Sequence, residues 1–215
     1  MTSVTLPMFP LELVCYPGES LALHIFEDRY QQLIEDCEQQ GVSFGVPTFI
    51  DNKMEYGTEV RLERVVKRYP TGACDIICRG VQVFQLEAFY PVLEEKLYAG
   101  GKVQYQKPID DATQKEKALF FELLTAFYTL LDVPTPGHTT PDKNSYAYAH
   151  KVGLTLEQEY EILKIASESQ RYQFLILHLS RVIPTIKAVN RTKRMIRLNG
   201  HFKNFNPLDF KDFKL

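Results

Sequence analysis

The sequence has no dominant sign of charge: 25 Lys and Arg stand against 27 Asp and Glu, a formal net charge of −2. Domains whose whole surface holds nucleic acid are usually basic overall, so this balance argues against that class and leaves room only for a local patch. No apolar run is long enough to span a bilayer, and the opening MTSVTLPMFP lacks the basic segment, apolar run and cleavage site of a secretory leader. A cytoplasmic location without a membrane partner is therefore expected. Cysteine is sparse. Cys15, Cys37, Cys74 and Cys78 form no CxxC pair and no histidine stands at zinc-finger spacing from them, so free buried thiols are expected rather than a metal site. His24, His138, His150, His178 and His201 show no HExxH spacing and no accompanying nucleophile motif, so no catalytic residue, metal or cofactor is expected. Internal repeats and low-complexity tracts are absent as well.

The chain does hold two stretches of different chemistry. Residues 1–108 carry ten Lys and Arg against fifteen Asp and Glu, and residues 109–215 carry fifteen against twelve. The first stretch reads as short strands: SLALHIF, SFGVPTFI, GTEVRLERVVKRY, ACDIICRGVQVFQLEAF and KVQYQ are rich in β-branched and aromatic residues. YPTG separates two of them as a turn. Cys74 and Cys78, an even number of residues apart, are expected on one strand face. One amphipathic helix interrupts the strands, with Phe26, Tyr30, Leu33, Ile34 and Cys37 at three- and four-residue steps and Gly41 as its stop. After about Ala112 the period changes. Leu119, Phe120, Leu123, Leu124, Phe127 and Leu131 form a helical stripe that Thr113 and Glu116 open as a capping box. Thr155 and Gln158 repeat that box before a second helix whose face holds Leu156, Tyr160 and Leu163. A third helix starts near Ser169, carries Tyr172, Leu175, Leu179 and Ile183, and is expected to kink or break around Pro184.

Residues 6–26, LPMFPLELVCYPGESLALHIF, followed by EDRYQQLIEDC and GVSFGV, resemble the signature of the amino-terminal substrate-binding domain of Lon proteases. That pattern is close to LPLFPL, a short gap, FPG, then LPLHIFEPRY and FGV, in the same order and spacing. The similarity continues through YGTEVRLERVVKRYPTGACDIICRGVQVFQL and, less specifically, the helices, covering nearly all of residues 4–190. It implies an α+β fold, a PUA-like β pseudobarrel followed by a helical bundle, in agreement with the strands-first reading. The boundaries expected are 1–108, 109–200 and a tail 201–215. Asp28 stands where the family usually has proline; either suits a first helical turn. A complete Lon protease needs a Walker A loop and a Ser-Lys dyad. No GxxxxGK[ST] occurs up to Leu215, so a stand-alone binding module without ATPase or protease activity is expected.

Most signature residues are explained by folding. Gly18 reads as a turn, Gly45 as a close approach within a strand, and Phe26 and Tyr30 as the packed face of the helix. Glu27 and Arg29 read as a local brace that could also line a groove. Phe26, Glu27, Arg29, Tyr30 and Phe44 are the peptide-binding candidates that the resemblance implies, and unfolded or exposed polypeptide segments are the implied partners. Such segments would add to a sheet edge in a groove between barrel and helices. Residues 187–203 hold Lys187, Arg191, Lys193, Arg194, Arg197 and Lys203 and no acid, with Phe202, Phe205, Phe210 and Phe213 nearby. Arg191, Lys193, Arg194 and Arg197 form a candidate basic patch. The phenylalanines are expected to dock on the domain, and Val189 and Ile196 to be buried. Two other readings stand: RNA binding, because PUA-like barrels also occur in RNA-modification proteins, and an adaptor that docks on a separate ATP-dependent protease.

Overall fold

A computed structural model describes residues 3–135 and 144–202, with side chains up to Arg197. Six strands and five helices follow one another as β1 (Val4–Met8), β2 (Ser20–Ile25), α1 (Asp28–Gln40), β3 (Phe44–Pro47), β4 (Tyr56–Arg68), β5 (Cys74–Tyr90), β6 (Ala99–Tyr105), α2 (Gln114–Leu131), α3 (Tyr146–Ala149), α4 (Leu156–Lys164) and α5 (Glu168–Phe202). The strands run in the order β2-β5-β4-β3-β1-β6, and β6 returns to pair with β5. Five of them therefore close into a ring, the PUA-like pseudobarrel, with β2 attached outside it. The length of β5 makes this possible: its first part pairs with β2 and its last part with β6. Shifts of register within β4 and β5 mark bulges, which bend the ladder as closure demands. Among the described strands, only β1 and β3 pair in parallel.

Alternation along β5 buries Cys74, Ile76 and Cys78 on one face, under α1. Within the ring, Met8 and Phe84 are fully buried, and a Cβ on Gly45 would stand 2.6 Å from the Met8 sulfur and 3.0 Å from the Phe84 ring. This is the close approach that the sequence suggested. Gly41 ends α1 at φ 68°, a left-handed value that glycine adopts without strain.

Both capping boxes form, at Thr113–Glu116 and Thr155–Gln158. Glu116 also accepts hydrogen bonds from Ser169 Oγ and Gln173 Nε2, and these bonds together with those from Thr113 hold its carboxyl down to about 2. That joins the starts of α2 and α5. The helical core gathers Phe120, Leu124, Phe127, Tyr148, Tyr172, Leu175 and Leu179, and it takes in Val14, Tyr16 and Val83 from the strand-rich part.

Several expectations need correction. Leu119 at the edge of the α2 stripe and Leu131 at its end are exposed. Phe26 precedes α1 and points into solvent instead of packing under it. Pro184 does not end α5, which runs through it: Ser180, whose carbonyl loses its helical donor, lies on the exposed side of the helix, open to solvent. Val189 and Ile196 are exposed, Val189 because it lies off the stripe of α5 that faces α2 and Ile196 because it lies beyond the end of α2. α3 is too short to show a period in the sequence. The expected docking of Phe205, Phe210 and Phe213 lies outside the described residues.

Candidate functional site

The five peptide-binding candidates do not form one site. Glu27 is the N-cap residue of α1 without capping it through its side chain, because its carboxylate accepts from Arg29 Nε at 2.9 Å. Both side chains are exposed. The Arg29 guanidinium lies 4.5 Å from the Tyr30 ring centroid, and Tyr30 is itself buried by stacking on Phe9 at 3.8 Å. Arg29 and the edge of Tyr30 border a cavity of about 380 Å³ with Pro10, Leu11, Phe49 and Met54. Phe44 is 0% exposed inside β3 and so offers no surface to a ligand. Phe26 stands apart, 66% exposed.

Phe26 directly follows β2. Its ring lies 6.1 Å from His24, which sits 5.7 Å from Tyr69. Asp75, the cross-strand partner of His24, fixes this group by accepting from His24 Nδ1 at 2.6 Å and from the Tyr69 hydroxyl at 2.8 Å. Those hydrogen bonds lower the Asp75 pKa. The result is an exposed aromatic patch beside a strand whose outer edge carries no further strand among the described residues. A second open edge lies on residues 61–68 of β4, past the last pair with β3. The two differ in chemistry. RLERVVKR carries Arg61, Glu63, Arg64, Lys67 and Arg68, the charges by which edge strands repel another chain, whereas SLALHI has no Lys, Arg, Asp or Glu.

A cavity of about 440 Å³ lies where loop 16–19 meets α3, lined by Tyr16, Pro17, Glu19, Tyr146 and His150 among others. Tyr16 stacks on Tyr146 at 4.9 Å and donates its hydroxyl to the Glu159 carbonyl at 2.9 Å. His150 bridges Glu159 at 2.8 Å and Glu19 at 3.1 Å, tying the strand-rich part to α4. Burial opposes the charged ring, but hydrogen bonds to the two carboxylates and their attraction outweigh it and raise the pKa to about 9. A folded-state value above the ordinary 6.5 means stability fully present below about pH 6.5 and lost as pH rises towards 9. Denaturation between pH 6.5 and 8 should show falling stability, and His150→Gln should flatten that slope. The buried thiols add a similar loss only above that window, since Cys15, Cys37 and Cys78 are pushed up to about 12. No local pattern marks this bridge, because 131 residues separate His150 from Glu19.

No group of three or more His, Cys, Asp or Glu could hold a metal among the described residues, and no described helix is long and apolar enough to cross a membrane. Arg191, Lys193, Arg194 and Arg197 are all exposed near the far end of α5.

The profile of the ATP-dependent protease La (LON) substrate-binding domain matches residues 5–181. The chain belongs to this Lon substrate-binding domain family. A solved relative is the Lon N-terminal domain protein from Xanthomonas campestris, at 26% identity and TM-score 0.63, covering 81% of this chain and 98% of that one. The N-terminal domain of Mycobacterium avium complex Lon protease shares the fold at 17% identity and TM-score 0.61, over 82% of this chain and 98% of that one. Among curated proteins none matches. Against the Lon signature the structure is informative: Leu6, Met8, Phe9 and Ile25 are buried, so most of that motif builds the barrel, and Phe26 is its exposed aromatic.

Proposed function

We propose that this chain binds exposed apolar segments of polypeptide in extended form, without catalysis, and that the segment adds to the outer edge of β2 with an apolar side chain against Phe26. The carrying observation is the contrast between the two open edges: residues 61–68 of β4 are guarded by charge, and β2 is not. Backbone hydrogen bonds at an edge tolerate many sequences, which suits a substrate-binding domain whose substrates share only exposed apolar character. Phe26, held beside His24 and Tyr69, supplies the apolar contact. RNA binding finds less support, because Arg191 stands 23 residues along α5 from Glu168, about 35 Å from the start of that helix at 1.5 Å per residue, and no described contact joins it to the barrel.

A fluorescently labelled, reduced and carboxymethylated polypeptide is a suitable probe. Phe26→Asp should weaken its binding about tenfold or more, the equivalent of about 1.4 kcal/mol. Ala22→Lys, which places a guard on the exposed face of β2, should act the same way. Both variants should melt with the parent protein, since both positions are exposed. Unchanged affinity in the two folded variants would refute the site.

A further inference from the structure

We propose that the end of α5 beyond α2 is a docking site for an acidic amphipathic helix of another protein. The proposal is independent of the β2 edge. Asn190 Nδ2 donates to the Leu130 carbonyl at 2.8 Å, in the last turn of α2, which ends at Leu131. α5 continues to Phe202, twelve residues or about 18 Å further, with no described element beside it. At 3.6 residues per turn, the stripe that packs on α2 through Leu179, Ile183 and Ile186 continues as Asn190, Lys193, Arg194 and Arg197. The stripe turns from apolar to basic where its neighbour stops.

Two further observations define the partner. Residues 169–202 contain no Asp or Glu, and no carboxylate among the described residues pairs with Arg191, Lys193, Arg194 or Arg197. Beside the basic arc, Val189 and Ile196 lie two turns apart in one line, 47% and 65% exposed. Thr192 sits between them and donates its hydroxyl back to the Ala188 carbonyl at 3.1 Å, so it needs no outside partner. A phosphate backbone would use the cations and leave Val189 and Ile196 in water. A lipid surface needs an apolar face sustained over several turns, whereas Val189, Ile196 and Met195, the last 53% exposed, span only two. A helix with an apolar stripe flanked by carboxylates satisfies both features at once.

The test uses the full chain and a synthetic helical peptide with leucine at every third and fourth position and glutamate between. Its counterpart has lysine for glutamate, and a duplex RNA and phosphatidylserine vesicles complete the probes. The acidic peptide should bind, more weakly as salt rises, and the lysine peptide should not. Ile196→Glu should lower affinity about tenfold or more, as should the combined Arg191→Glu, Arg194→Glu and Arg197→Glu. Phe26→Asp should leave this binding intact, which separates the outcome from that of the β2 site. The proposal fails if the acidic peptide does not bind at low salt or if both variants bind it like the parent. It also fails if RNA or vesicles are preferred, or if the chain self-associates through α5 and Ile196→Glu dissolves the dimer.

Discussion

Replacing Arg171 with alanine should destabilise the protein by about 3–5 kcal/mol in chemical denaturation, the range for breaking a buried ion pair from one side. Arg171 and Glu168 form a salt bridge with both side chains almost wholly buried. The guanidinium also directs its donors to two other segments. Nη1 reaches the carbonyls of Ile165 and Ala166, between α4 and α5, and the Tyr146 hydroxyl in α3; Nε reaches Ser145 Oγ. Glu168 in turn accepts from the Ser145 amide at 2.6 Å and hydroxyl at 3.0 Å. Alanine would leave a carboxylate without its countercharge in the interior together with the Ile165 carbonyl deprived of its donor, while the Ala166 carbonyl would keep the Ile109 amide. Arg171→Met combined with Glu168→Leu should lose less than the two single changes added together, because it removes both charges. A single Arg171 variant as stable as the parent would mean the network is dispensable.

Phe44→Ala should also cost about 3–5 kcal/mol, the usual range for emptying a buried phenylalanine site. Phe44 packs beneath α1, its ring 6.3 Å from that of Phe9. Phe26→Ala, by contrast, should change stability by less than about 0.5 kcal/mol, as exposed positions do. Both belong to the same sequence signature, and denaturant midpoints should separate them: one builds the barrel and the other faces solvent. Comparable midpoints for the two variants would contradict their placement.

That contrast shows what local sequence can carry. Period and capping residues marked the strands, α1, α2, α4 and the start of α5, because those signals depend on neighbours within one or two turns. β1 was hidden inside the motif LPMFP, whose prolines mask alternation, and α3 has only four residues. The site was harder to read. Spacing placed Phe26 with Tyr30 on one helical face, yet the helix begins at Asp28, two residues later, and Phe26 turns outward. Tyr30 and Phe44 share a motif because they share a core, whereas Phe26, Glu27 and Arg29 face solvent, and the open edge of β2 follows only from ring closure among the other strands. Likewise, the basic run near residue 191 was plain in composition, but its meaning depends on where α2 ends.

Amide hydrogen exchange on the full chain, with and without the bound unfolded polypeptide, tests the polypeptide-binding account most directly. Amides on the outer side of Ser20–Ile25 should gain protection on binding, while residues 61–68 of β4 remain unchanged. Protection confined to the cavity beside Arg29 and Tyr30, or to the cleft beside His150, with β2 unaffected, would contradict it.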